Sequence, residues 1–301
     1  MTTLQSLLGI DLPIIQAPMA GIHASAMAVA VSDAGGLGSL PAAMLTLDAL
    51  KRELAAIRAQ TDKPFNVNFF CHVPPVPSEE REARWRDALA PYFAEFDIDP
   101  TTIAAGAGRM PFTAEVADVI AEFKPPIVSF HFGLPSVELL ARVREWGAKI
   151  LSSATTVNEA RWLEAHGVDA IIAQGLEAGG HRGIFLSSDL TTQVGTFALL
   201  PQIVRAVNVP VIAAGGIADA TGVKAALSLG AIAAQVGTAY MLCPEAMTSA
   251  PHRAALKSEA ARHTALTNLF TGRPARGIVN RLMRELGSIS AAAPEFPLGK
   301  R

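Results

Sequence analysis

Polar residues are scarce inside the apolar runs of this sequence, and those present stand at one end of them. Gln16 leads into Ala17-Pro18-Met19-Ala20-Gly21, and Asn66 and Asn68 flank Val67. His131 closes Ile127–Phe130 ahead of Phe132-Gly133. Gln174 follows Ala170–Ala173 and leads through Gly175 to Glu177-Ala178-Gly179-Gly180-His181. Gly215-Gly216 follow Val211–Ala214, and Gln235 stands just before Gly237-Thr238. A buried polar group is costly unless something bonds it, so this clustering points to a polar ligand. The two glycine sites suit an anion. Gly215-Gly216 lets the backbone come close, and a helix starting near Asp219 turns its positive end toward the same place. Gly237-Thr238 adds further backbone N–H groups and a hydroxyl. Either pair alone reads equally as a tight turn; together they predict a phosphate.

The amides of Gln174, Gln235 and Asn68 both donate and accept, which suits the edge of a flavin ring or its ribityl hydroxyls, with Asn66 a weaker candidate. Among seven histidines, His131 alone follows a strand-like run and precedes Gly133 and Pro135, so it is the candidate for moving a proton or holding an anionic oxygen. His181 follows two glycines and either contacts ligand or braces its loop. Glu177 reads as a loop anchor in preference to an acid. His23, His72, His166, His252 and His263 receive no role. The absence of HxxxH and CxxC leaves a metal unsupported. No GxSxG elbow is present, and Lys149 begins its run, at the wrong end for a Schiff base.

These residues need a scaffold that gathers strand ends. Eight strand-length runs recur: Ile14–Ala17, Leu37–Leu40, Phe65–Phe69, Ile127–Phe130, Lys149–Ser152, Ala170–Ala173, Val211–Ala214 and Ile232–Val236. Helical patterns lie between them. Leu47, Leu50, Leu54 and Ile57 share one face, as do Val137, Leu140, Val143 and, less well, Trp146. Thr156 and Glu159 have capping-box spacing ahead of a helix over 159–166. Ala218–Leu229 ends at Gly230. Val73–Pro77 reads as a loop before a charged helix from Ser78 to about Phe96. Strand-helix alternation implies a parallel sheet, and eight repeats in about 240 residues imply an α/β fold of the (β/α)8 TIM-barrel type. An open doubly wound sheet is the alternative, without its usual GxGxxG turn. Such barrels carry their active sites at the C-terminal strand ends. The barrel is assigned to residues 1–239. Residues 240–301 are expected to form a small helical accessory or lid segment near its mouth.

Composition narrows the function. Of 301 residues, 50% are hydrophobic and 17% charged, which excludes a disordered chain. The 25 basic and 27 acidic residues nearly cancel, and no basic run offers a nucleic-acid footprint. Leu12–Ser32 and Ala225–Pro244 lack charged residues but are punctuated by Pro, Gly and Gln, so they read as buried strands rather than membrane spans. The N-terminus lacks the pattern of a secretory signal. Cys71 and Cys243 make no disulfide framework, and a cytoplasmic location is expected.

From Gln16 to about Leu298 the sequence resembles the nitronate monooxygenase family, once called 2-nitropropane dioxygenases. The motifs that carry this are Gln16–Gly21, Val128-Ser129-Phe130-His131-Phe132-Gly133-Leu134-Pro135 and Ala173-Gln174-Gly175-Leu176-Glu177-Ala178-Gly179-Gly180-His181-Arg182-Gly183. Ala213-Ala214-Gly215-Gly216-Ile217-Ala218-Asp219 and Gln235-Val236-Gly237-Thr238-Ala239 complete the set. The Gln-Gly-x-Glu-Ala-Gly-Gly-His element is shared with related flavin barrels, including an FMN-dependent enoyl-acyl-carrier-protein reductase. The Phe-His-Phe-Gly-x-Pro element is similar to class I nitronate monooxygenases.

The resemblance implies FMN and the oxidation of alkyl nitronates, typically propionate 3-nitronate, by O2 to a carbonyl compound and nitrite. Carried over by motif, Met19 and Gly21 line the flavin with backbone groups, Asn68 and Gln174 bond its ring or ribityl chain, and Gly180, Gly216, Gly237 and Thr238 hold the phosphate. Ala17, Pro18, Gly179, Gly215 and Gln235 complete the expected cofactor-binding set. His131 is the catalytic residue, and His131 and His181 bind substrate. The implied partners are a small nitronate or nitroalkane and O2, without nucleic acid or membrane; a homo-oligomer is compatible. Members of the family are expected to continue past Pro297-Leu298 with aromatic and lysine side chains. Here Gly106-Ala107-Gly108-Arg109 carries no tyrosine, which touches substrate selection. An NAD(P)H-dependent FMN reductase of enoyl thioesters or quinones is the alternative, and a phosphate-binding barrel without redox chemistry a further one.

Overall fold

Short runs rich in Ile, Val, Ala and Phe cannot cover both their faces alone, and here they pair edge to edge. The computed structural model describes residues 3–76, 78–103 and 108–297. Pro77, Gly106, Ala107 and Leu298, named above, lie outside the described residues. The strands are β1 (Ile14–Gln16), β2 (Gly38–Pro41), β3 (Phe65–Phe70), β4 (Ile127–His131), β5 (Lys149–Ala154), β6 (Ala170–Gln174), β7 (Gly180–His181), β8 (Val211–Ala214), β9 (Ala233–Val236), β10 (Thr264–Thr267) and β11 (Ala275–Ile278). Eight of them form one sheet in the order β1-β9-β8-β6-β5-β4-β3-β2, with every ladder parallel. Leu37 closes the sheet: its N–H donates to Ile14 O and its carbonyl accepts from Gln16 N, each at 2.9 Å. The result is the expected (β/α)8 barrel, its strand limits within two residues of the sequence reading.

Helices follow the strands for local reasons. In the helix Leu47–Gln60, Thr46 caps the start by accepting Ala49 N–H, Asp48 sits in the first turn and Arg58 in the last. Its inward stripe Leu50, Leu54 and Ile57 is at most 2% exposed, each side chain stabilising by roughly 2 kcal/mol. Leu47, expected on that face, is half out in solvent. In the helix Val137–Arg144, Leu140 and Val143 are buried and Val137 is exposed. Trp146, past its end, donates its indole N–H to Pro125 O. The charged segment forms the helix Glu79–Glu95, capped by Ser78. The two charge-free stretches are accounted for by β1 with the helix Ser25–Asp33, and by β9 with its neighbours. Among the described residues no helix is long and apolar enough to cross a membrane.

Strand side chains alternate between two clusters. Val67, Val128, Phe130, Ile150, Ile171 and Ala173 pack with the helices. Ile15, Leu37, Ile127, Leu151, Ile172, Ile212 and Ala233 pack with one another and with Leu7 and Leu8 of the N-terminal helix Leu4–Leu8. Continuing that inner column by steps of two reaches Ser129 and His131 on β4, Ser153 on β5, Gln174 on β6 and Gln235 on β9. The inner wall is therefore apolar toward the N-terminal strand ends and polar toward the C-terminal ends.

By internal contacts the chain divides into two compact units. The first is Met1–His72, Met110–Ala178 and Gly183–Arg253; the second is Val73–Arg109, Gly179–Arg182 and Ala254–Arg301. The second unit thus draws chain from three places, whereas the sequence pattern assigns only residues 240–301 to an accessory segment. Nor is that segment wholly helical. β10 and β11 form an antiparallel pair, and β11 also pairs with β7 through Ala275–His181 and Arg276–Gly180. Thr264–Thr267 and Ala275–Ile278 are four residues each with no clean burial alternation, so their pairing leaves no local periodicity to read. Trp85, Leu269 and Met283 form the core of this unit.

Gly38 shows how closely the helix Ser25–Asp33 approaches β2. A Cβ there would lie 1.9 Å from Ala28 O, and Ser32 Oγ bonds Gly38 N–H at 3.2 Å. Gly38→Ala is expected to destabilise the protein by about 3 kcal/mol through forced backbone displacement. Thermal unfolding should show a melting temperature several degrees lower; an unchanged one would mean that the contact yields freely.

Candidate active site

Within the first unit the C-terminal strand ends bring together Ala17, Pro18, Met19 and Gly21 after β1, Asn68 on β3, His131 on β4 and Gln174 on β6. They also gather Gly215 and Gly216 after β8, with Gln235, Gly237 and Thr238 at β9. Ala17 N donates to Val236 O at 2.8 Å, tying the first of these loops to β9. A Cβ on Gly237 would lie 3.5 Å from Ala17 Cβ and 3.8 Å from Met19 Sδ. Gly179, Gly180 and His181 belong to the second unit. There His181 Nε2 lies 2.9 Å from Thr271 Oγ1, and its ring meets Phe296 edge-on at 5.3 Å. His181 thus has a bracing contact within its own unit.

His131 is the last residue of β4 and is partly buried. Its Nδ1 lies 3.0 Å from Ser153 Oγ. A serine hydroxyl can donate or accept, so it can follow either tautomer of the ring. The rings of Phe70 and Phe132 stand 5.9 and 4.4 Å away. Gly183 packs closely against the ring: a Cβ there would lie 2.9 Å from His131 Cε1. Gly183 N also donates to Gln174 Oε1 at 2.7 Å. That bond takes one of the two acceptor positions of the amide oxygen.

Asn68 has a fixed orientation. Its Nδ2 lies 2.8 Å from Ser129 Oγ and 3.2 Å from Ser129 O. A peptide carbonyl only accepts, so the amide cannot be reversed without setting two acceptors against each other. Both amide hydrogens go to Ser129, and among the described residues no donor reaches Asn68 Oδ1. The position presents an acceptor. Asn66 is buried below it, donating to Ser39 Oγ and Ser129 Oγ at 3.0 and 2.9 Å, so it belongs to the barrel's internal network.

Two carboxylates hold loops. The spacing pairs Glu159 with Thr156 in a capping box, and Thr156 Oγ1 does accept Glu159 N–H at 3.2 Å. The buried carboxylate instead accepts from Thr155 N and Oγ1, both at 2.7 Å, and from Phe185 N and Leu186 N at 2.7 and 3.2 Å. It thereby fixes the segment that begins at Gly183. Glu177, the expected anchor, accepts from Thr196 N and Oγ1 at 2.8 Å. Thr196 Oγ1 also lies 2.9 Å from Gly215 O.

At the glycine pair, φ is +116° for Gly215 and +69° for Gly216. Both are left-handed values that disfavour a side chain. The helix Ala220–Ser228 follows, capped by Asp219, which accepts Gly222 N–H at 2.8 Å.

His23 has no role legible in the sequence, because it lies in the loop between β1 and the helix Ser25–Asp33, where no periodicity ties it to Gln16. It is 3% exposed. Its Nε2 accepts Met19 N–H at 2.9 Å and lies 2.7 Å from Gln16 Nε2, while Gln16 Oε1 accepts Ser39 N–H at 2.8 Å. Burial pushes the imidazole down to about 4, against the opposing pull of the Ala17 and Ala24 carbonyls. The ring is therefore neutral near pH 7 and holds the Ala17–Met19 turn as an acceptor.

These features define a (β/α)8-barrel protein whose polar rim combines glycine turns, fixed amides and a braced histidine. Residues 1–300 match the sequence model of the family described as nitronate monooxygenase. The nitronate monooxygenase of Paraburkholderia phytofirmans is 47% identical over 91% of this chain and 75% of its own length. That of Pseudomonas aeruginosa is 44% identical over 97% and 82%. The crystal structure of a nitroalkane oxidase from Streptomyces ansochromogenes is similar with a TM-score of 0.88 and 40% identity, covering 99% of this chain and 85% of that one. The chain belongs to the nitronate monooxygenase family, a family of oxidoreductases.

The His23 contact has a pH signature. With a folded value of about 4 against about 6.5 unfolded, the unfolded chain binds the extra proton between these values, so stability falls as pH drops through that window. Wild type should lose about 3 kcal/mol from this group between pH 6.5 and 4. His23→Gln should flatten the slope by about one proton. Urea midpoints at stepped pH read this; equal slopes would exclude His23 as the source.

Proposed function

We propose that the protein is an FMN-dependent nitronate monooxygenase that oxidises alkyl nitronates of the propionate 3-nitronate type with O2 to a carbonyl compound and nitrite. The observation that carries the reading is His131, held at the end of β4 by Ser153 and backed by Gly183, in a chain of this family. The residues fit FMN: left-handed glycines at 215 and 216, the Gly237-Thr238 turn beside Met19, and an outward acceptor at Asn68. Gly215, Gly216, Gly237 and Thr238 would hold its phosphate. Ala17, Pro18, Met19 and Gly21 would offer backbone groups, and Asn68, Gln174 and Gln235 would meet its ring or ribityl chain. For Gly179, Gly180 and a substrate contact by His181, the proposal rests on the shared motif alone. We also take the enzyme to work in the cytoplasm on small-molecule substrates.

FMN would supply electron acceptance from the substrate and reaction with O2. His131 binds the nitronate oxygens through ring N–H and, with a neutral nitroalkane, takes the proton from the carbon beside the nitro group. Ser153 holds the other ring nitrogen in either state. A nitronate is already an anion and needs no base.

Visible spectra under anaerobic conditions, before and after adding an alkyl nitronate, test the reading. A flavin spectrum that bleaches supports it. A flavin that ignores nitronate but bleaches with NADH or NADPH would replace it with a reductase. His131→Asn should retain FMN while turnover falls about 100-fold or more; unchanged turnover with both nitronate and nitroalkane removes the assignment.

A further inference from the structure

Four glycines of the first unit close around two side chains, Glu177 and Thr196. A Cβ on Gly175 would lie 1.9 Å from Thr196 Oγ1, and one on Gly215 would lie 2.8 Å from the same atom. A Cβ on Gly195 would lie 2.7 Å from Glu177 Oε1, and one on Gly216 3.2 Å from Glu177 Cβ. The loops after β6 and β8 and the start of the helix Thr196–Ala206 therefore meet at this pair. Glu177 Oε2 accepts from Thr196 N and Oγ1, each at 2.8 Å. The same hydroxyl donates to Gly215 O at 2.9 Å and reaches Ala214 O at 3.4 Å. A threonine hydroxyl has one hydrogen, shared here between the carboxylate and the Gly215 carbonyl.

The consequence lies on the other side of that peptide group. The bond between Gly215 and Gly216 is trans, so its N–H points opposite to its C=O. With the oxygen held at Thr196, Gly216 N–H faces away from Thr196. Among the described residues no protein acceptor takes that N–H. Two adjacent glycines, at φ +116° and +69°, do not fix the direction of the peptide between them. A contact from outside the pair has to impose it.

We propose that Thr196 is a positioning residue for the phosphate of FMN, an inference that rests on the cofactor reading above. Its hydroxyl holds the Gly215 carbonyl so that Gly216 N–H is presented to the phosphate, and Glu177 holds Thr196. A reversed peptide would turn a carbonyl oxygen toward the phosphate and replace attraction by repulsion. Neither side chain needs to touch the cofactor.

The test frees the full chain of flavin and titrates it with FMN and with riboflavin, which lacks the phosphate, following flavin fluorescence. Thr196→Val removes the hydroxyl at nearly constant size. Its Kd for FMN should rise about 30-fold, the scale of one hydrogen bond to a charged group, while its Kd for riboflavin should hardly move. Thr196→Ser keeps the hydroxyl and should bind FMN like wild type. The phosphorus NMR resonance of bound FMN should shift in Thr196→Val and not in Thr196→Ser. Thr196→Ala, smaller and equally without a hydroxyl, repeats the comparison should the valine variant not fold. An unchanged Kd for FMN overturns the proposal. Equal losses for FMN and riboflavin would make Thr196 a purely structural residue and also overturn it. Wild type that binds FMN no tighter than riboflavin overturns it too, while the flavin reading stands. Wild type that binds neither removes the flavin reading and this inference with it.

Discussion

Two backbone hydrogen bonds from Leu37, one to Ile14 and one from Gln16, join the last open edges of an eight-stranded parallel sheet. Everything at the candidate site depends on that closure. In a closed parallel sheet all C-terminal strand ends share one rim, and side chains point inward at every second residue. The inward columns then run from apolar to polar along each strand, as in Ile127-Ser129-His131, Leu151-Ser153 and Ala170-Ile172-Gln174. The lower members fill the barrel together with Leu7 and Leu8. The upper ones lose apolar neighbours at the rim and must bond one another, the loops or a ligand.

Much of that polar chemistry is spent on the protein itself. Rim loops lack ladder partners for their backbone N–H groups, and side chains supply them. Glu159 takes two N–H groups from Phe185 and Leu186, Glu177 takes Thr196, Gln174 takes Gly183 and His23 takes Met19. This bracing decides which groups are left for a ligand. Asn68 has donated both its amide hydrogens to Ser129 and offers only an oxygen. His131 has one ring nitrogen held by Ser153. The rim is thus held by contacts within the protein, a condition for precise positioning.

The barrel was legible in the sequence because its evidence is local. A buried parallel strand is a short apolar run, and a helix shows its stripe at three- and four-residue spacing, as Leu50, Leu54 and Ile57 do. Gly215-Gly216 and His131 were legible for the same reason, since each interrupts or ends such a run. The strands β7, β10 and β11 were not. Two to four half-buried residues carry no period, and the partners β7 and β11 lie about 90 residues apart in the chain.

By itself, then, the sequence determined the fold class, the rim on which polar residues gather and the family to which the chain belongs, because repeating patterns and contiguous motifs are properties of neighbouring residues. Only the tertiary structure decided what each polar atom does. Glu159 satisfies capping-box spacing yet spends its oxygens on Thr155, Phe185 and Leu186. His23 looks like any loop histidine until Met19 N–H points at it, and Arg109 looks like any surface cation until it is buried against Phe296. A side chain's hydrogen-bond partner and its desolvation are set by whatever residues the fold brings within about 3 Å, at any distance along the chain, and no spacing rule encodes that.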